Sequence, residues 1–314
     1  MHPEHSLKKR IEWSAGSLRM KRAHRSVYQG FRQVLCVLLT PTLCVVCWLA
    51  LSTPGFGATT TDPTSLDRPG RYEVLLPGAG LMLGGILFRP ATMTERSVPG
   101  IIVLHGWAEK GVPGAPRVEG AARRLSEQGY AALALSTRGW PPSGGHDDCG
   151  LEQPDDVAKA ADWLLSLPNL SPDRVGVIGF SLGGQVALLA AARYSRIKAV
   201  AAYYPVTDIQ RWRETTSHSA IRDYYIPQVC GTGRSQSPVN AASKITVPVL
   251  LVHGDRDTRV PTEQSIRMQE ALRKANRDVE LLIVPGAEHG FTVSQREQAW
   301  ASVLEFFSTH LHTK

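Results

Sequence analysis

The sequence predicts an α/β domain: a mostly parallel eight-stranded sheet with helices on both faces and a short cap. Three observations carry that reading. Short apolar runs alternate with helix-forming runs from residue 72 onward, the pattern of a doubly wound sheet. Central runs such as Gly100-Ile-Ile-Val-Leu-His105 and Pro248-Val-Leu-Leu-Val-His253 are apolar on both faces, as parallel strands covered by helices are. The first two runs have no helix between them, which puts an antiparallel hairpin at one sheet edge.

The elements follow in chain order. Residues 1–33 hold eight Lys and Arg against two Glu. Most of the net charge of +7 therefore sits in a leader, and the rest of the chain is within one charge of neutrality. A basic surface for nucleic acid is not expected. Residues 34–51 are apolar and uncharged. A positive flank, an apolar run and then small residues is the layout of a secretory signal, with Gly55 and Gly57 before a cut at Ala58. An uncleaved anchor is the other reading, since such a run just spans a bilayer. Met20-Lys-Arg-Ala-His-Arg25 also reads as a start of its own. Either way the folded part is expected outside the cytoplasm, because positive residues stay inside. Residues 58–71 read as a linker and 72–314 as the folded domain, with 204–246 a cap-like insertion. An apolar fraction of 43% and a charged fraction of 20% suit a packed core.

Strands are expected near 72–76, 82–88, 100–104, 130–135, 174–179, 197–203, 248–253 and 279–284. Helices are expected near 117–128, 155–167, 182–194, 262–275 and 295–311. Beyond the leader only Cys149 and Cys230 remain, either two separate thiols or one bridge. No metal cluster, phosphate loop or dinucleotide fingerprint is present in the sequence, and no cofactor is expected.

The chemistry centres on Gly179-Phe-Ser-Leu-Gly183. An apolar run enters it and a helical run leaves it, so Ser181 is expected on a sharp strand-to-helix turn, exposed as a nucleophile. Serine needs a base, and ligands gather at the carboxyl ends of parallel strands. His289 follows the last apolar run in Gly286-Ala-Glu-His-Gly290 and is the expected base. Asp255 and Asp257 both follow the strand that ends at His253. Either can orient the base while the other caps a turn, and Asp208 is a third option. The order of these residues in sequence does not choose between them.

The order Ser181, Asp257, His289, with His253-Gly-x-x-Asp257-x-x-Val-Pro261 and His289-Gly-Phe291, resembles the α/β-hydrolase superfamily. The resemblance is nearest to its dienelactone-hydrolase-like and prolyl-oligopeptidase-like branches and covers about residues 72–311. It implies that Asp257 is the acid and that backbone amides of Leu182 and Trp107 receive the oxyanion. It also implies a short-cap hydrolase acting on a small-molecule ester. Dienelactone hydrolases proper carry a cysteine where this chain has Ser181, which favours ordinary esters. Prolyl oligopeptidases carry a large propeller, for which the stretch before the first strand is too short, so a peptidase is the second reading. Arg138, Trp140 and Tyr224 are expected at the substrate, although a structural ion pair is equally open to Arg138. Trp212 and Tyr225 add to an apolar pocket or to the packing of the cap. In this frame a Cys149–Cys230 bridge would tie the cap to the rim of the site. A non-catalytic binding module on the same scaffold is the rival from another class.

Overall fold

The computed structural model describes residues 63–311 apart from 95, 96 and 109. The basic leader, the apolar run 34–51, the two proposed starts and the signal cut lie outside the described residues. Among the described residues no helix is long and apolar enough to cross a membrane.

The eight strands are β1 (Gly70–Pro77), β2 (Met82–Arg89), β3 (Val98–Leu104), β4 (Ala131–Leu135), β5 (Leu170–Phe180), β6 (Ile197–Tyr203), β7 (Val249–Gly254) and β8 (Val279–Val284). They form one sheet in the order β1-β2-β4-β3-β5-β6-β7-β8. β1 pairs antiparallel with β2, and β2 with β4; every later pairing is parallel. The expected edge hairpin is therefore present, and so is the mostly parallel α/β-hydrolase sheet.

Alternation along the strands explains how both faces are filled. In β3, Ile102 and Leu104 face one core while Ile101 and Val103 face the other. In β7, Val249 and Leu251 oppose Leu250 and Val252 in the same way. The first core is closed by α2 (Gln153–Leu165), α3 (Leu182–Arg193) and α5 (Glu263–Lys274). The second is closed by α1 (Glu119–Glu127) and α6 (Val293–Leu311). All five expected helices are observed, within a few residues at their ends.

The stretch 204–246 holds a short helix, α4 (Ile209–Thr215), and a π-type helix over Ile221–Cys230 with Pro227 inside it. A third small core joins it to the sheet edge, where Ile209, Trp212, Tyr225 and Cys230 pack with Leu182, Val260 and Cys149. Cys149 and Cys230 form a disulfide, and Trp212 Nε1 donates to Arg259 O at 2.8 Å.

Candidate active site

The chain reverses direction across the sheet between β3 and β5, where a doubly wound sheet opens a crevice at its carboxyl edge. Ser181 sits there, directly after β5, with φ 56° and ψ −117°. That conformation is costly for a residue with a Cβ and is kept where the surroundings enforce it. Two glycines let the backbone enforce it. A Cβ on Gly179 would stand 2.1 Å from Gly183 O, and one on Gly183 would stand 2.5 Å from His105 O. Strand, turn and helix thus cross at contact distance, which pushes the serine hydroxyl outward.

Three side chains meet at this point. His289 Nε2 lies 3.2 Å from Ser181 Oγ, and His289 Nδ1 lies 2.7 Å from Asp257 Oδ2. The ionised carboxylate accepts from Nδ1–H, which leaves Nε2 free to accept from the hydroxyl. Asp257 Oδ1 accepts the amides of Arg259 and Val260, each at 2.9 Å. Burial alone would raise this carboxyl; hydrogen bonds from His253, His289 and the Val260 amide outweigh it and hold the pKa at about 2.

Asp255 accepts instead from Gly286 N at 2.6 Å and so braces the loop that carries His289. Asp208 caps α4 and pairs with Arg267. The choice left open between Asp255, Asp257 and Asp208 is therefore made by which carboxylate faces His289. His253, read in the sequence as part of a turn, supports Asp257. Its Nε2 donates to Val260 O at 2.7 Å, 3.5 Å from Asp257 Oδ2, and its Nδ1 accepts from Ser265 Oγ at 2.7 Å.

Leu182 opens α3, where a helix leaves its first amides without internal acceptors. The turn His105-Gly106-Trp107 passes beside Ser181, since a Cβ on Gly106 would lie 3.1 Å from Ser181 Cβ. His105 accepts from Thr137 N at Nε2 and donates from Nδ1 to Gly106 O at 2.7 Å. Burial lowers its pKa to about 4; the bond to Gly106 opposes that shift and Arg117 adds to it.

The pocket over Ser181 encloses about 410 Å³. Trp107, Phe180, Tyr204, Trp212, Ile221 and Tyr225 supply its apolar wall. Tyr204 packs on the His289 ring at 4.6 Å between centroids, and Trp107 meets Tyr225 edge-on at 5.9 Å.

Three expected substrate contacts are corrected here. Arg138 is buried and pinned: its guanidinium holds both oxygens of Asp156 at 2.6 and 2.9 Å, donates to Ala79 O and pairs with Glu152. It braces the loop after β4 and does not reach the pocket. Trp140 is also buried, with its Nε1 donating to Ala108 O at 3.2 Å and its ring edge-on to His105. It supports the turn behind the pocket wall. Tyr224 is 69% exposed and does not line the pocket; its neighbour Tyr225 does, and donates to Asp147 Oδ2 at 2.8 Å. Arg117, Arg259 and Arg296 also line the pocket. Sequence reasoning passed over them, because no motif marks an arginine that only a distant turn brings to a rim.

Fold and site define a serine hydrolase of the α/β-hydrolase class. The sequence model of the prolyl oligopeptidase family matches residues 118–314, and the chain belongs to that family. An uncharacterized peptidase of Bacillus subtilis, YuxL, is 28% identical over 264 residues, covering 74% of this chain and 38% of its own length. A putative carboxymethylenebutenolidase of Synechocystis is 25% identical, covering 76% of this chain and 96% of its own. A puromycin-hydrolyzing peptidase of Mycobacterium tuberculosis superposes with a TM-score of 0.69 at 21% identity, covering 78% of this chain and 40% of its own. That last likeness speaks to fold. The chain spans well under half the length of two of these three proteins.

Proposed function

We propose that this protein is an exported serine hydrolase that cleaves small carboxylic esters through an acyl-enzyme. The observation that carries the reading is the hydrogen-bonded chain Ser181–His289–Asp257 beneath a pocket with an apolar wall. In this scheme His289 takes the Ser181 proton as Oγ attacks the ester carbonyl, and Asp257 holds the ring in the tautomer that can do so. The Leu182 and Trp107 amides receive the oxyanion, each worth about 3 kcal/mol of barrier. His289 then returns the proton to the departing alcohol and activates the water that frees the acyl group. No cofactor or metal enters the scheme, and nucleic acid is no partner in it.

A second reading is a peptidase acting on short peptides or aminoacyl amides. The family model and the peptidase names among the relatives favour it. The Synechocystis relative, matched over 96% of its own length and 76% of this chain, favours the ester. Export is supported by the apolar run after a basic flank and by the Cys149–Cys230 bridge; a membrane anchor through residues 34–51 is the variant of that reading.

Ser181→Ala is expected to abolish turnover of 4-nitrophenyl acetate and fluorophosphonate labelling with the circular dichroism spectrum unchanged. Retained turnover overturns the mechanism. A panel of esters and aminoacyl amides separates the two readings, since a peptidase cleaves the amides at a comparable rate.

A further inference from the structure

The pocket carries a one-sided charge. Its ionisable lining is Arg117, Arg259 and Arg296 with three histidines and two tyrosines, and no carboxylate lines it. The acids nearest these arginines in the chain are engaged elsewhere. Glu119 binds Arg71, and Glu297 binds Arg124 through both oxygens at 2.7 and 2.8 Å. Asp257 faces His289 and the amides behind it. Asp255 holds the Gly286 amide. Among the described residues, none of the three guanidiniums makes a hydrogen bond or ion pair. Arg71, Arg124, Arg138, Arg193, Arg196, Arg211, Arg222 and Arg267 each hold a carboxylate; among the described residues Arg123, Arg256 and Arg273 do not, and what sets Arg117, Arg259 and Arg296 apart is that they share one pocket.

The three come from separate parts of the fold. Arg117 precedes α1, Arg296 lies in the first turn of α6, and Arg259 follows β7 where Trp212 and Thr216 of the 204–246 stretch bind its carbonyl. α1, α3 and α6 all begin near this rim, and their positive ends add to the same sign. A rim of one sign concentrates ligands of the other and aligns them on approach.

We infer that the substrate is an anionic ester, carrying a carboxylate or similar group that Arg117, Arg259 and Arg296 hold at the rim while its apolar part lies against Trp107, Trp212 and Tyr225. The inference rests on the ester-hydrolase reading and narrows its substrate class. It also replaces Arg138, which the sequence offered for a carboxylate, with cations that the fold leaves unpaired.

The test compares kcat/KM of the full chain on two matched pairs. One pair is 4-nitrophenyl hexanoate and mono-4-nitrophenyl adipate, which places the charge on the acyl side. The other is phenyl acetate and 3-carboxyphenyl acetate, which places it on the leaving side. At low salt the anionic member of at least one pair is expected to lead by about tenfold, which is what a few weakly screened charges supply. That lead is expected to shrink severalfold in 0.5 M NaCl. In the triple variant R117Q/R259Q/R296Q the anionic-to-neutral ratio is expected to fall at least fivefold, with fluorophosphonate labelling of Ser181 reporting that the fold and nucleophile persist. Neutral esters preferred in both pairs, or a ratio unmoved by salt and by the triple variant, overturns the inference while leaving the hydrolase reading intact. No turnover of any ester and no labelling defeats the hydrolase reading itself, and the inference with it.

Discussion

Replacing Asp257 by Asn tests the site at its most determined point. The carboxylate accepts four ways: Arg259 N and Val260 N at Oδ1, His289 Nδ1 at 2.7 Å and the more distant His253 Nε2 at Oδ2. An amide of the same shape has one acceptor oxygen and one donor nitrogen. The two backbone amides claim the oxygen, so the NH₂ faces His289 Nδ1. The ring must then accept at Nδ1 and carry its proton at Nε2, where Ser181 needs an acceptor. In an analogous serine site that exchange of tautomers costs ~10⁴ in kcat, about 5.5 kcal/mol of barrier. The expected result is a loss of that order for ester turnover at neutral pH, and a similar slowing of fluorophosphonate labelling. Asp255→Asn is the comparison: it loses one bond, to Gly286 N, and is expected to cost activity less than tenfold. A loss below tenfold in Asp257→Asn, or an equal loss in both variants, refutes the assignment. The same carboxyl makes a claim about pH. Its folded value of about 2 lies below the ordinary 3.8, so it stabilises the fold fully above pH 4. That contribution, about 2 kcal/mol, fades as the pH falls toward 2. Urea midpoints at pH 4.5 and 2.5 should differ less in Asp257→Asn than in the parent.

Two other changes probe the scaffold. Gly183→Ala drives a methyl to 2.5 Å from His105 O and 2.6 Å from Leu104 O. It is expected to cost at least 1–3 kcal/mol, roughly, in urea unfolding, and to depress kcat further by shifting Leu182; a normal kcat at normal stability would show that α3 can retreat freely. Cys149→Ser with Cys230→Ser opens a loop of 81 residues, worth about 4.5 kcal/mol in a chain-entropy account; an unchanged unfolding midpoint would show that the bridge adds nothing to stability.

The fold was legible because each strand announces itself twice. β3 is apolar throughout and β7 is apolar up to His253, and each is followed by an amphipathic helix, α1 or α5. The same regularity located the site, since Ser181, Asp257 and His289 each come within a few residues after a strand end, and a parallel sheet brings those ends to one edge. Asp255 and Asp257 could not be separated that way. They are two residues apart on one tight turn, and only the direction of each side chain decides which meets His289 and which meets Gly286.

The substrate side of the pocket was far less legible, and the cause differs residue by residue. Over Ile221–Cys230 the backbone is wound with i→i+5 bonds, as Gly231 N to Ile226 O shows at the exit. Tyr225 lines the pocket while its neighbour Tyr224 is exposed, and two adjacent tyrosines in a stretch without an apolar period are not told apart by the sequence. Arg138 failed for the opposite reason. It occupies a place where a substrate arginine is plausible, but Asp156 enters from α2, eighteen residues on, and neutralises it in a buried pair. Whether an arginine is free to bind a ligand depends on where every nearby acid has gone. For Arg117 and Arg296 that question is answered by Glu119 and Glu297 turning to Arg71 and Arg124. Such partner choices are long-range and belong to the folded surface, which is why a five-residue motif pointed to the proposed nucleophile while the arginines of the pocket rim emerge only in the structure.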